Sequence, residues 1–221
     1  MHIKFERKNI SIKEFEFIYS NDSSVLGDFK KNKLKKSDQF ESFKIANVDV
    51  KMSTPTFFSS IKSATSTKQE AKTLIIANEQ CIVYYCGKKG TNFLNGIYFW
   101  TITYQGREYT FYEVGKGHKG IYLCIWENEN IVAISSKHTH SKHFGSEYDL
   151  YFENQALPLE LVLSINLCWD LMRYWPDDSS EVWYTLNTWQ KELKNKYDPA
   201  FIPKIKELDR IALLPTSYRS I

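Results

Sequence analysis

One long apolar segment, residues 157–175 (LPLELVLSINLCWDLMRYW), constrains the fold of this chain more than any other feature. Its apolar residues lie all around the helix that the segment would form, so no side is left for water. A helix of that kind must be buried in a large protein core or in a membrane. Glu160, Asn166, Asp170 and Arg173 interrupt the segment and leave no run near the roughly 20 apolar residues that a membrane span needs. We therefore expect a central helix in the core of a soluble protein.

Ahead of that segment, short runs alternate apolar and polar residues with period two and are separated by turn residues. The pattern predicts strands at residues 15–19, 25–30, 43–51, 74–77, 81–86, 98–104, 108–114, 121–126, 131–135 and 148–153. In residues 98–104 the alternation places Tyr98 and Trp100 on one face. Tight turns such as Gln105-Gly106 join most of the strands and predict an antiparallel meander rather than a βαβ fold. Residues 52–68 are rich in Ser and Thr and have no period, so a long loop is predicted there.

The predicted helix and strands together limit the architecture. A sheet-on-sheet sandwich has no space for a helix, and a closed barrel of about eight strands is filled by its own side chains. A helix about 10–12 Å across therefore requires a wider barrel. We predict a mainly β fold with C-terminal helices (α+β), in which an antiparallel barrel of about 10–12 strands encloses the helix at 157–175.

The chain after Trp175-Pro176 has a different pattern and predicts two further helices. The first would begin near Ser179 or Ser180. One apolar stripe marks each helix: Val182, Leu186, Trp189, Leu193 and Tyr197 in the first, and Phe201, Ile205, Leu208 and Ile211 in the second. Both are amphipathic and should pack on the outside of the sheet or on a partner. We therefore divide the chain into a barrel domain at residues 1–176 and a helical extension at residues 177–221.

The order of these elements resembles the tubby C-terminal-like superfamily. The strand at 148–152 (YDLYF) followed by a hydrophobic helix ending in 169–174 (WDLMRY) carries the resemblance, which covers residues 1–176. That group includes the tubby domain, phospholipid scramblases and small bacterial proteins, and this chain is similar to the bacterial type. The resemblance implies a barrel of about twelve strands threaded by one apolar helix. The phosphoinositide motif of tubby domains and the acylated cysteines and calcium motif of scramblases have no counterpart here.

Composition and charge bound the class of partner. Hydrophobic residues make up 43% of the chain and charged residues 25%, which is ordinary globular composition. The net charge of +3 is too small to indicate nucleic acid, so we expect none as a partner. No apolar run follows the charges of the first nine residues, which predicts no signal peptide and a cytoplasmic protein. The cysteines, Cys81, Cys86, Cys124 and Cys168, have no zinc-finger spacing. We expect them to be reduced and buried, with disulfides as the alternative.

Three histidines in a short segment, His138, His140 and His143, are the candidate metal ligands. His138 and His140 would share a face of an extended strand, and Asp149 could approach from the next strand to complete a three-ligand site. Lys137 and Lys142 bring positive charge that opposes a bound cation, and no Glu stands at catalytic spacing. We therefore interpret the segment as a polar loop and expect neither a metal nor another cofactor, while a metal-dependent hydrolase stays a second alternative.

Three lysine-rich segments are candidates for binding a partner or an anion: residues 30–36 (KKNKLKK), 87–90 (GKKG) and 115–120 (GKGHKG). Backbone amides in glycine-bracketed turns can hold phosphate. Neither glycine turn follows the strand–loop–helix plan of a P-loop, so solvated hairpin turns are the alternative. The candidate residues are Lys30, Lys31, Lys33, Lys35, Lys36, Lys88, Lys89, Lys116 and Lys119.

The sequence contains no recognisable catalytic motif: no Gly-x-Ser-x-Gly, no His-Glu-x-x-His, no Rossmann glycines and no Walker box. We predict that Asp170 and Arg173, spaced i, i+3, form a structural ion pair, and that Glu160 complements the helix dipole. We expect no catalytic residue. The hypothesis is a non-enzymatic, cytosolic protein that recognises a protein partner, such as an immunity or antitoxin protein that occludes a toxin. The alternative is a peripheral membrane module that binds anionic lipid headgroups through its lysines.

Overall fold

The period-two segments of the sequence fold as strands of one sheet. A computed structural model describes residues 1–11, 14–20, 25–31, 41–45, 48–53, 68–88, 97–138, 145–174 and 188–213. The strands are β1 (His2–Ser11), β2 (Glu14–Ser20), β3 (Val25–Lys31), β4 (Glu41–Ile45), β5 (Val48–Ser53), β6 (Lys68–Ile76), β7 (Glu79–Lys88), β8 (Ile97–Tyr104), β9 (Arg107–Gly115), β10 (Ile121–Glu127), β11 (Asn130–Lys137) and β12 (Gly145–Phe152). The helices are α1 (Leu159–Arg173), α2 (Lys191–Lys194) and α3 (Phe201–Leu213), and a 3-10 turn lies at Gly117–Lys119.

The sheet is antiparallel, with the strand order β3-β2-β1-β12-β11-β10-β9-β8-β7-β6-β5-β4. The pairing of β1 with β12 brings the two ends of the strand region together and runs from His2 opposite Tyr151 to Lys8 opposite Gly145. The edge strands are then β3 and β4, and they approach each other in space. In the described part of the chain no hydrogen-bonded ladder joins these two strands, so the sheet is open at that seam.

Strand β1 was not among the predicted strands. Its inward residues are Ile3, Phe5 and Arg7, all of which are buried. An arginine on the buried face breaks the apolar alternation that Ile3 and Phe5 begin, and the polar residues Lys8 and Asn9 follow it. The strand exists because its backbone pairs with β2 on one side and β12 on the other.

The single strand predicted at residues 43–51 is wrong, because this stretch forms two strands, β4 and β5. They pair as a hairpin in which Ile45 lies opposite Val48. The apolar residues change from odd positions (Phe43, Ile45) to even positions (Val48, Val50) across the two residues that separate the strands. Facing residues of a hairpin lie on the same side of a sheet, so this change of phase marks the hairpin, and the single-strand prediction ignored it. The long loop predicted at residues 52–68 falls mostly on residues 54–67, which lie outside the described residues.

The tight turns use left-handed backbone conformations that suit two-residue hairpins. Ala77 and Asn78 have φ values of 50° and 68°, and Gln105 and Gly106 have values of 51° and 73°. Two successive residues with positive φ match the right-handed twist of the flanking strands. The hairpin predicted around Gln105-Gly106 is therefore confirmed, with Tyr104 and Arg107 paired on either side of it.

Helix α1 is buried on every side, as its sequence predicts. All ten residues from Leu161 to Asp170 are buried, including Ser164 and Asn166. Its apolar side chains join one continuous core with inward residues of β1, β2 and β5 to β12. No helix in the described residues combines the length and the apolar run needed to cross a bilayer.

The cysteines match the expectation from the sequence. All four are buried and carry free thiols. Burial raises the pKa of the Cys81 thiol to about 11, with a further contribution from the Glu79 charge. These residues therefore act as small apolar side chains of the core.

The C-terminal segment packs on the outer face of the sheet. Phe201 and Ile205 of α3 are buried against a second apolar cluster that includes Val114, Cys124 and Ile134. Leu208, on the same predicted stripe, is 49% exposed. The helix expected from the stripe Phe201, Ile205 and Leu208 is thus present and uses its first two turns for docking.

The helix predicted to carry Trp189 is wrong in the described residues. Thr188, Trp189 and Gln190 are not helical, and α2 covers only Lys191–Lys194. The Thr188 N–H donates to the Gly115 carbonyl at 3.0 Å, so this backbone extends alongside the end of β9 instead of forming a helical turn. The earlier part of that predicted helix, from Ser179 or Ser180 to residue 187, lies outside the described residues.

Candidate functional site

The two ends of the sheet differ, and the difference defines the candidate site. In a meander alternate strands end at the same side, so β1, β3, β5, β7, β9 and β11 all end together. Helix α1 runs towards that side, because Glu160 near its start meets the end of β8 through the Tyr104 hydroxyl at 3.1 Å. Its last turn meets Glu113 near the end of β9. We call this side the helix-exit end.

The chain connections at the two ends have different lengths. At the opposite end the strands are joined by short segments: residues 21–24, 46–47, 77–78, 105–106 and 128–129. At the helix-exit end, apart from residues 12–13, the segments are longer: residues 32–40, 54–67, 89–96, 116–120 and 138–144. Long connections held by a rigid scaffold are common places for binding residues. The described strand ends that precede and follow these long connections are therefore the candidate site.

The topology brings lysine-bearing strand ends from three connections to the helix-exit end. Lys30 and Lys31 are the last residues of β3, and Lys88 is the last residue of β7. Lys116 and Lys119 stand in the turn that follows β9. The other predicted lysines, Lys33, Lys35, Lys36 and Lys89, lie outside the described residues. Segments that are distant in sequence thus place positive charge at one side of the sheet.

Two of the three large hydrophobic side chains that are exposed in the described residues also lie at this end. Trp189 is 80% exposed and Tyr98 is 56% exposed. Tyr98 pairs with Gly87 near the end of the β7–β8 ladder. Its ring stacks on that of Tyr85, and the two ring centres are 5.6 Å apart. The prediction that Tyr98 shares a face with Trp100 holds, but Tyr98 is at the rim and Trp100 is in the core.

Trp189 is exposed on a segment that is firmly attached to the sheet. On its N-terminal side Thr188 is buried, and its hydroxyl accepts a hydrogen bond from the Gly115 N–H at 2.8 Å. On its C-terminal side the Trp126 indole donates to the Lys196 carbonyl at 3.0 Å. The Tyr197 ring lies 4.5 Å from that of Tyr122. The sheet therefore fixes the backbone around Trp189 in the absence of a partner.

One lysine lies over the Trp189 ring, and another lies over the ring of a nearby tyrosine. The Lys194 ammonium lies 5.9 Å from the centre of the Trp189 ring, and Lys116 lies 5.0 Å from that of Tyr197. Lys191 is exposed close to Trp189 in sequence, and Lys119 is exposed in the turn after β9 that also carries Lys116. We call this set, Trp189 with Lys116, Lys119, Lys191 and Lys194, the Trp189 surface. It offers an apolar anchor within a positive field.

Inside the sheet, a network of charged groups meets the last turns of α1. The Arg7 guanidinium lies 2.7 Å from Asp170, and the Tyr148 hydroxyl donates to the same carboxylate. Lys137 donates to the Ser146 hydroxyl at 2.6 Å. Burial raises the pKa of Tyr148 well above its usual value, and the Asp170 charge adds to that rise. The network ties the helix to β1, β11 and β12.

The predicted ion pair between Asp170 and Arg173 is wrong. Asp170 pairs with Arg7, and Arg173 donates to the Glu113 carboxylate at 2.8 Å. Glu113 also accepts from the Trp169 indole at 2.7 Å. The two helix residues lie near each other along the helix, but the sheet supplies each with an opposite charge from a different side.

Of the three candidate histidines, the structure describes His138. His138 bonds one oxygen of Asp149 at 2.7 Å, which confirms that Asp149 approaches it from the next strand. The other oxygen is bonded by His2 at 2.8 Å, a contact missed because β1 was not predicted. His140 and His143 lie outside the described residues. In the part of the chain that the structure covers, no group of three His, Cys, Asp or Glu side chains could hold a metal ion.

The hydrogen bonds of this cluster shift its titration. The pKa of Asp149 is held well below its usual value, first by the bond from His138 and then by that from His2. The pKa of His138 is raised by the bond to Asp149, which outweighs the opposing effect of burial. The cluster therefore links β1, β12 and the end of β11. We call this set, His2, His138 and Asp149, the clasp.

No protein-family model matches this chain, and the searches of curated proteins and of solved structures found no match either.

Proposed function

We propose that this chain is a non-enzymatic binding protein that recognises an acidic protein partner through its helix-exit end. The observation that carries the proposal is Trp189, which is 80% exposed although the residues on both sides of it are attached to the sheet. Exposure of so large an apolar ring to water is unfavourable in an isolated protein. Burial against a partner removes that cost.

Tryptophan is among the residues that most often dominate the energy of an interface. Truncation of such a residue typically weakens binding by about 2 kcal/mol or more, which is about 30-fold in Kd. A residue whose backbone is already attached to a sheet also loses less conformational entropy on binding. Trp189 therefore fits the role of a central anchor.

The charge of the Trp189 surface specifies the partner. Lys194 lies over the ring, Lys191 is two residues from it, and Lys116 and Lys119 stand in the turn after Gly115, which bonds Thr188. Glu192 is the acidic residue within α2. An acidic partner would be attracted over several ångströms and would associate faster at low salt. The partner would therefore present an apolar pocket for Trp189 with acidic residues around it.

The architecture expected from the sequence completes the proposal. The sheet would close between β3 and β4 as a tubby-like barrel at residues 1–176, with residues 177–221 as an outer extension. The approach of the two edge strands and the burial of α1 from Leu161 to Asp170 support this. A cytosolic immunity or antitoxin protein that occludes a toxin is the specific form that we propose.

Affinity purification with the intact chain from its own cells tests this function. The wild type should retain one acidic protein, and Trp189→Ala should lose it. Leu208→Ala is the matched control, because Leu208 is an exposed apolar residue on α3, away from the Trp189 surface. Equal retention by the wild type and Trp189→Ala would contradict the proposed site. Recovery of free monomer alone would contradict the function.

An anionic membrane is the second candidate. Lysine-bearing ends of β3, β7 and β9 face the same side as Trp189, and tryptophan with lysine is common at membrane surfaces. Flotation with anionic vesicles at low and high salt separates the candidates. Salt-sensitive binding that depends on Trp189 would favour the membrane, whereas no binding would remove it.

Metal-dependent hydrolysis at His138, His140 and His143 is the remaining alternative. Elemental analysis of the purified chain tests it, with His140→Ala as the control. A stoichiometric metal that His140→Ala loses would support this alternative. Equal metal content in the two proteins would count against it.

A further inference from the structure

The core contains a side-chain amide that its protein neighbours do not satisfy. Asn166 of α1 is fully buried, and within the described residues neither its Nδ2 nor its Oδ1 has a hydrogen-bond partner. The same holds for the hydroxyl of Ser135, a fully buried residue of β11. Buried polar atoms are almost always paired in folded proteins, because loss of hydration is otherwise uncompensated.

The position of Asn166 on its helix shows which part of the sheet it faces. Asn166 and Asp170 are separated by four residues and so lie on the same face, one turn apart. Asp170 accepts a hydrogen bond from the Tyr148 hydroxyl of β12. Asp170 also pairs with Arg7 of β1, whereas Trp169 meets Glu113 of β9. At about 3.6 residues per turn Asn166 lies between the directions of Asp170 and Trp169, and so it points towards β11 and β10, which stand between β12 and β9.

The strand register places Ser135 at the level of Asn166. Lys137 lies opposite Tyr148, and Ser135 lies opposite Leu150. Two residues along a strand advance by about 6.6 Å, and one turn of helix by about 5.4 Å. Moving from Tyr148 and Asp170 towards the start of α1, the next position on the same face of β11 is Ser135, and the next turn of the helix carries Asn166. Leu150 is apolar, so Ser135 provides the hydroxyl of this layer.

We propose that Asn166 and Ser135 form an internal binding site for one water molecule, which joins the central helix to β11. The amide supplies one donor and one acceptor, and the hydroxyl supplies either. A buried water needs two to four such partners, so this pair meets the requirement. The site is distinct from the Trp189 surface and does not depend on the proposed function.

A high-resolution crystal structure of the intact chain tests the site directly. We expect density for a single water about 2.7–3.2 Å from both the Asn166 amide and the Ser135 hydroxyl. A direct hydrogen bond between the two side chains would overturn the inference. A dry contact, or density for a larger solute, would overturn it as well.

A double-mutant cycle supplies a second test in solution. Asn166→Leu and Ser135→Ala each remove one side of the bridge. Their effects on the unfolding equilibrium constant should therefore be coupled by about threefold or more. Independent effects would contradict a shared water. If Asn166→Leu does not fold, a crystal structure of Ser135→Ala decides the question, because that variant should lose the water and keep the fold.

Discussion

The Trp169 indole of α1 donates a hydrogen bond of 2.7 Å to the Glu113 carboxylate of β9, inside the sheet. The same carboxylate accepts from the Tyr174 hydroxyl at 3.0 Å and pairs with Arg173. Three groups of the helix end thus converge on one acid of the sheet. Two hydrogen bonds and an ion pair therefore hold the C-terminal end of α1 against the sheet.

Glu113→Ala should destabilise the protein by about 2 kcal/mol or more, because it leaves the buried Trp169 indole and Tyr174 hydroxyl without their acceptor. Loss of the Arg173 pair adds little, since the Arg173 side chain is 47% exposed. Denaturant unfolding monitored by tryptophan fluorescence measures the change. Glu192→Ala is the control, because this exposed acid lies on α2. Equal midpoints for the two variants would contradict the role of Glu113.

Arg7→Ala should be more damaging than a surface change, with a loss of about 3–5 kcal/mol. It leaves the Asp170 carboxylate in the core without its cation, and both side chains are almost completely buried. Equilibrium unfolding measures the loss. The double variant Arg7→Met with Asp170→Leu should recover part of the stability, because no unpaired charge remains. A double variant less stable than Arg7→Ala would count against this explanation.

The clasp of His138 and Asp149 should make stability depend on pH in two directions. The pKa of His138 is raised above its ordinary value of 6.5, so its contribution is complete below that pH and is lost as the pH rises through the raised value. The pKa of Asp149 is lowered from 3.8, so its contribution is present above that pH and is lost on further acidification. The benefit of the clasp should therefore be largest between about pH 4 and pH 6.5.

Comparison of the wild type with His138→Ala across that range measures the effect. We expect a difference of less than about 1 kcal/mol, because the His138 side chain is 43% exposed. The difference should shrink above neutral pH. A difference that grows as the pH rises above 7 would have the wrong sign for this clasp.

Trp189→Ala should leave the folded protein almost unchanged in stability, within about 0.5 kcal/mol, because the ring is 80% exposed. Binding to the acidic partner should weaken by about 30-fold or more. Calorimetric titration and thermal unfolding of the same sample separate the two effects. A variant that loses binding only because it unfolds would show a lower melting temperature, and that result would argue against Trp189 as an anchor.

Several features of the fold could be predicted from local pattern. The burial of α1 follows from apolar residues around its whole circumference. The hairpin at Gln105-Gly106 follows from turn residues between two alternating runs. The split between β4 and β5 was missed, although the change from odd-numbered apolar residues (Phe43, Ile45) to even-numbered ones (Val48, Val50) marks it. Strand β1 was hidden by Arg7, whose charge is acceptable on the inner face only because Asp170 meets it there.

The sequence by itself determined that residues 157–175 would form a buried helix and that most of the preceding chain would form an antiparallel meander. Both depend on periodicity within a few residues. The tertiary structure alone decided that Asp170 pairs with Arg7 and not with Arg173, that His2 joins His138 on Asp149, and that Trp189 faces water. Each of these depends on the pairing of β1 with β12 or of Thr188 with Gly115. Such pairing joins residues far apart in sequence, and no local pattern encodes it.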